Sequence, residues 1–145
     1  MSLIREANEQ DAPELARLLT ALGHETDASD LRARWSAWKT EGNTAFVSAR
    51  PDGSLSGMAT VHKTWVLHRP KPLARITSLI VDESDRGKGI GRALVATSEK
   101  WLADAGCGIL EITSNHQRQD AHEFYRHLGY EQTSARFMKK LQPPR

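Results

Sequence analysis

Hydrophobic positions recur along this chain with two periods, and the switches between them divide it into elements. Leu3 to Ala7 reads as a short first strand, and Asp11-Ala12-Pro13-Glu14 has the residues of a helix start. Leucines at 15, 18, 19 and 22 then fall on one helical face, and Gly23 ends it. Ser29 or Asp30 stands where a second helix would be capped, and Leu31, Trp35 and Trp38 repeat at helical spacing through Trp38. Thr44 to Ala49 and Leu55 to Val66 predict strands, joined by the turn residues Pro51-Asp52-Gly53-Ser54. Two prolines break the stretch from Leu67 to Pro72, and a further strand runs from Leu73 to Val81. A glycine-rich turn leads into a helical stretch from Ala93 to Ala105, which Gly106-Cys107-Gly108 ends. Ile109 to Thr113 returns to the sheet, and Phe124, Tyr125 and Leu128 form the apolar face of a short helix. Tyr130 to Thr133 and Arg136 to Leu141 predict a last antiparallel pair, with Pro143 and Pro144 in a frayed tail. The order is mixed α/β, without repeats, linkers or low-complexity segments.

Composition narrows the class. A length of 145 residues suits one domain with a real core, and 39% hydrophobic with 26% charged residues reads as a soluble globular protein. No apolar run approaches the length that crosses a bilayer, and no basic region leads into an apolar one at the N-terminus, so neither a membrane span nor a signal peptide is expected. The single cysteine, Cys107, excludes an internal disulfide and suits the cytoplasm. A net charge of +2 gives no argument for a nucleic-acid partner. His62 and His68 have no cysteine or carboxylate at ligand spacing, so no metal is expected.

The chemistry begins at Arg86-Gly87-Lys88-Gly89-Ile90-Gly91, between an apolar strand and a helix. A helix start leaves backbone N–H groups unpaired and carries a partial positive charge, so several donors converge on an anion placed there. Arg86, Lys88 and Arg92 add cations that suit a pyrophosphate. A magnesium-dependent P-loop is excluded, because Gly89 follows Gly87-Lys88 where Ser or Thr is needed. A dinucleotide fingerprint is excluded as well, since the third glycine position holds Arg92 or Leu94.

The remaining pattern, Arg86-x-x-Gly89-x-Gly91 after a hydrophobic strand, resembles the acetyl-CoA pyrophosphate loop of the GNAT superfamily of N-acetyltransferases. The stretch from Ala121 through Phe124-Tyr125 to Gly129-Tyr130 resembles that family's later motif, at the expected distance after a strand. The resemblance covers nearly the whole chain and implies one domain over residues 1–145. Its fold is a central, mostly antiparallel twisted sheet with a splayed parallel strand pair, flanked by helices. It implies that the backbones of Leu79, Ile80 and Val81 pair with the pantetheine arm of acetyl-CoA, where the strand bulges and splays. Arg86, Gly87, Lys88, Gly89, Ile90, Gly91 and Arg92 would hold the pyrophosphate. Tyr125 would protonate or hydrogen-bond the departing thiolate. Asn115 would also reach the cofactor, although the family's asparagine stands three residues before the alanine, at Arg118 here.

The implied reaction is direct attack of an amine on the thioester. An amine of pKa about 10.4 is almost wholly protonated at pH 7, and reaching its neutral form costs roughly 4–5 kcal/mol. Full proton transfer from a tyrosine near pKa 10 to a thiolate near 8.5 is uphill by only about 2 kcal/mol, so Tyr125 needs little tuning. The base is less legible. Some family members carry a glutamate on the central strand, eleven residues before the loop motif, and Arg75 occupies that position here. Glu111 on the next strand is the candidate base, beside His68, His116 and His122 and a relay through water. Trp35, Trp38 and Trp65 are candidate apolar walls for the acceptor. The expected acceptor is a small-molecule primary amine. Alternatives are a protein N-terminus or lysine, and a non-catalytic domain that senses acyl-CoA. Family members are often dimers, so a homodimer is also an expectation, with no direct sign of one in the sequence.

Overall fold

The computed structural model describes residues 3–113 and 119–143, which form two units, described separately. In the first, β1 (Leu3–Glu6), α1 (Ala12–Leu22), α2 (Ala28–Thr40), β2 (Asn43–Ala49), β3 (Leu55–Thr64), β4 (Leu73–Val81), α3 (Ile90–Asp104) and β5 (Ile109–Ile112) follow one another. The sheet order is β1-β2-β3-β4-β5, with every pair antiparallel except the parallel β4–β5. This is the mixed sheet with one parallel pair that the sequence predicts.

Alternation of side chains gives the sheet two covered faces. One packs under α1 and α2, where Leu15, Leu18 and Trp35 meet Ala45, Val47, Met58 and Ile80. The other lies against α3, whose Trp101 meets Phe46 edge-on with ring centroids 5.9 Å apart. Gly57 permits the close approach of α3, because a Cβ there would stand 3.2 Å from Leu94 Cδ1 and 3.3 Å from Ile90 Cγ2.

The ladder between β3 and β4 breaks at one place. Thr60 pairs with Ser78 and Val61 with Ile76, which leaves Thr77 as an extra residue. The bulge reverses the phase of β4: Ile76 belongs to the face of Val61, whereas Ser78 and Ile80 share the opposite face with Thr60 and Met58. On its other side β4 pairs with β5 only over Leu73 to Ile76. Residues 77–81 therefore have no strand partner there among the described residues, which is the expected splay.

Element ends differ from the sequence reading for local reasons. The α2 cap is Asp27, whose Oδ1 accepts from Ser29 N at 2.7 Å, and β3 ends at Thr64. Helix α3 starts at Ile90, ahead of Ala93, because left-handed Gly89 (φ 81°) already turns the chain into it.

The second unit contains α4 (Gln119–His127), closed by left-handed Gly129 and a Tyr130 N–H bond to Tyr125 O of 3.0 Å. The expected final strand pair is absent: residues 130–143 carry neither helix nor strand. Phe137 and Met138 are adjacent, so a strand would send them to opposite faces, and Lys139 and Lys140 follow. Phe137, Met138 and Leu141 are exposed.

Candidate active site

The end of β4 runs through a short 3-10 turn (Glu83–Asp85) and the glycine loop into α3. Gly87 (φ 82°) and Gly89 (φ 81°) both adopt the left-handed conformation, and a Cβ on either would meet nothing within 4 Å. Their role is the path of the backbone and the open space above it. Helix α3 has no side-chain cap and no acidic residue in its first turn, whereas α2 has both. Its first N–H groups thus face that space with no internal anion to satisfy them.

The three loop cations have different neighbours. Lys88 Nζ lies 3.1 Å from Asp85 Oδ1, and Arg86 Nε donates to Val81 O at 3.3 Å. Arg92 has no hydrogen-bond or ion-pair partner among the described residues.

An ion network absent from the sequence reading holds this loop. Arg50, at the end of β2, bonds Asp82 at 2.8 Å and also bonds Asp85. Arg17 of α1 joins Asp82 at 3.0 Å and Glu14 at 2.8 Å. Both arginines donate to Leu55 O, and Glu14 accepts from Leu55 N at 2.9 Å. Burial pushes the Asp82 carboxyl up, but hydrogen bonds from Arg17 and Arg50 outweigh it and hold the group below its ordinary value. Asp85 is held low as well, by Arg50 first and then Lys88. The loop is therefore tied at its base and open at its tip.

Two cavities flank β4 and α3. One of about 420 Å³ touches the loop at Lys88, Gly89 and Ile90, with Ile4, Ser48 and Arg50 opposite. The other, of about 240 Å³, lies between the helices and the sheet, on the α1 and α2 side. Trp35, Trp38 and Leu31 are among its apolar walls, with Thr60, Thr77 and Ser78 at the bulge. Trp35 and Trp38 pack with ring centroids 5.1 Å apart. Thr60 Oγ1 hydrogen-bonds Thr77 Oγ1 at 2.7 Å and also bonds Ser78 Oγ. His24 and Arg34, which the sequence reading passed over, line the same cavity, whereas the expected wall Trp65 is exposed and does not.

Leu79, Ile80 and Val81 end β4, and residues 86–92 run from the loop after it into the first turn of α3. Glu111 is exposed on β5, opposite Arg75 in register and 3.4 Å from its guanidinium. The row His62–Arg75–Glu111 stands on the same face as Thr60 and Ser78, one row along. Tyr125 lies in α4, edge-on to Phe124 at 5.4 Å and to Tyr130 at 6.2 Å. His122 is on the same helix, and His68 is exposed after β3. Asn115 and His116 lie outside the described residues. Among the described residues no three His, Cys, Asp or Glu side chains converge to hold a metal ion.

The profile of the acetyltransferase (GNAT) family matches residues 7–130. The chain belongs to the GNAT family. It is 32% identical over 139 residues to an aminoalkylphosphonate N-acetyltransferase of Salmonella typhimurium, covering 95% of this chain and 90% of that one. It is 31% identical over 133 residues to an aminoglycoside N(6')-acetyltransferase type 1 of Stenotrophomonas maltophilia, covering 90% and 86%. The fold matches an acetyltransferase of Trypanosoma brucei with a TM-score of 0.87 at 23% identity, over 97% of this chain and all (100%) of that one. No helix among the described residues of this GNAT acetyltransferase is long and apolar enough to cross a membrane.

Proposed function

We propose that this chain transfers the acetyl group of acetyl-CoA to a primary amine of a small molecule by direct attack. The observation that carries the reading is the edge of β4 at 77–81, without a strand partner on the β5 side among the described residues, leading through the glycine loop to the uncapped start of α3. Leu79, Ile80 and Val81 offer main-chain donors and acceptors to an extended amide-bearing arm, while their side chains pack into the protein. Arg86 to Arg92 neutralise a pyrophosphate with backbone N–H groups and three cations. The two curated relatives named above, each an N-acetyltransferase of a small amine by name, support the acceptor class.

Acetyl-CoA supplies an activated acyl group with a thiolate leaving group. The attacking amine must first lose a proton, and Glu111 takes it on the pocket's face or water carries it past the Thr60–Thr77–Ser78 hydroxyls. Tyr125 hydrogen-bonds the departing sulfur, a role supported by its place in the motif shared with the family, and Asn115 joins the cofactor contacts. Cys107, half-buried with its thiol pushed up by burial, suits a reducing cytoplasm. A homodimer is part of the reading, and exposed Phe137, Met138 and Leu141 supply apolar surface for one.

The test is thermal unfolding with acetyl-CoA, followed by thiol release with a panel of small amines. Ligand at about 100 times its dissociation constant stabilises by about 2.7 kcal/mol, so the midpoint rises by several degrees. An unchanged midpoint at saturating acetyl-CoA would sink the assignment.

A further inference from the structure

We infer that Arg34 and His24 select the acceptor, holding the acidic group of a short-chain primary amine that carries a carboxylate or phosphonate. The inference rests on the acetyltransferase reading and specifies its substrate. The 240 Å³ cavity has a sheet wall and a helix wall of different chemistry. The sheet wall presents the hydroxyls of Thr60, Thr77 and Ser78, which are acceptors for the N–H donors of an amine. Ser78 also opens the strand segment assigned to the thioester arm, so this is the end at which the nitrogen reacts.

The helix wall carries Arg34 and His24, and the described lining contains no carboxylate. Arg5, Arg17, Arg50 and Arg75 each reach a carboxylate elsewhere in this unit. Arg34 reaches none, like Arg32, Arg69, Arg86 and Arg92, and neither its guanidinium nor the His24 ring has a hydrogen-bond or ion-pair partner among the described residues. Arg34 and His24 are exposed residues of that lining, and a planar guanidinium there is a fork for a carboxylate or phosphonate, with His24 as a further N–H donor. A polycationic acceptor meets the opposite condition, since its second ammonium would lie against Arg34 with no carboxylate near. Size agrees: about 240 Å³ lies below the roughly 300–1,000 Å³ of pockets for drug-sized ligands.

The experiment compares kcat/KM for 2-aminoethylphosphonate, β-alanine, ethanolamine and putrescine, after acetyl-CoA binding has been established by its thermal shift. The two acids share the proposed chemistry, and their ratio names which one fits better. The expected result is a preference of about 10- to 100-fold for at least one acid over ethanolamine, with putrescine poorest. Arg34→Gln should collapse that preference toward one, Arg34→Lys should restore part of it, and the acetyl-CoA shift should stay put in both. Equal turnover of neutral or cationic amines, or a preference that survives Arg34→Gln, overturns the inference and leaves the acetyltransferase reading standing. If no amine turns over, titration of both acids into the protein decides. Binding lost in Arg34→Gln supports the inference, and no binding of either acid overturns it. Absence of an acetyl-CoA shift counts against the parent reading alone.

Discussion

Replacing Gly57 by alanine tests whether the start of α3 is positioned by contact with the sheet. Gly57 lies in extended strand β3 opposite Val81 and needs no left-handed backbone, so alanine's own conformation is satisfied and packing alone is probed. The new Cβ would stand 3.0 Å from Ile80 O, 3.2 Å from Leu94 Cδ1 and 3.3 Å from Ile90 Cγ2. Ordinary heavy-atom separations are about 3.5–4.0 Å, so the helix must retreat or the ladder must shift by some tenths of an ångström. Overpacking of this kind costs about 1–3 kcal/mol, and the smaller unfolded-state entropy of alanine returns about 0.4–1 kcal/mol. The net expectation is a loss of about 1–2 kcal/mol, read as a fall in the urea midpoint at unchanged slope. Because Ile90 is the first residue of α3, the displaced helix also carries the anion seat with it, and acetyl-CoA should bind more weakly. A variant as stable as the parent, with undiminished acetyl-CoA affinity, would refute the claim that this contact sets the seat.

Gly42→Ala should be costlier, by about 2–4 kcal/mol, since φ is 89° and the added Cβ would stand 2.6 Å from the backbone oxygen of Lys63; denaturant titration reads it directly. Gly53→Ala, left-handed but with nothing within 4 Å, should lose only about 1 kcal/mol and serves as the control. Asp11, held low first by its hydrogen bond from Arg5, and Glu14, held low first by Arg17, titrate with Asp82 below their ordinary values. The unfolded chain then binds more protons than the native one in acid, so stability should be level from pH 7 to about 5 and fall as pH drops below about 4. Urea midpoints against pH check this, and Asp82→Asn should flatten the fall. Tyr125→Phe should lower kcat while acetyl-CoA binding stays nearly intact, and equal turnover would remove the hydroxyl from the mechanism.

Features set by neighbours in sequence were legible, and features set by distant pairing were not. The apolar run 73–81 followed by Gly87 and Gly89 specifies strand, left-handed turn and helix locally, and the structure follows it. The family motif placed the splay, but not Thr77 as the bulged residue, because only the register with β3 decides that. The clamp on the loop was invisible: Arg17 and Asp82 are 65 residues apart, and Arg50 and Asp85 are 35 apart. His24 and Arg34 lie at a helix exit and in a helix, and only the fold brings them to the same cavity as Thr60 and Thr77. Leu31, Trp35 and Trp38 were legible as one helical face, and Trp35 and Trp38 also as apolar walls, but Leu31 was not legible as part of that wall. At the C-terminus the expected pair, Tyr130 to Thr133 with Arg136 to Leu141, is not formed, and Phe137 and Met138 do not alternate with polar residues as a half-buried strand requires.

The clamp also places the glycine loop in the order of folding. Bonds from Asp82 to Arg17 and Arg50 close loops of 65 and 32 residues, and such closures carry an entropic cost that grows with length. Helix α1 and the β2–β3 hairpin are built from nearer partners and form without them. The base of the glycine loop becomes fixed only when those two elements are already docked, so on the proposed function the ability to bind acetyl-CoA would be acquired at the end of folding. A refolding protein sampled through time should regain its secondary structure first and its affinity for the cofactor last.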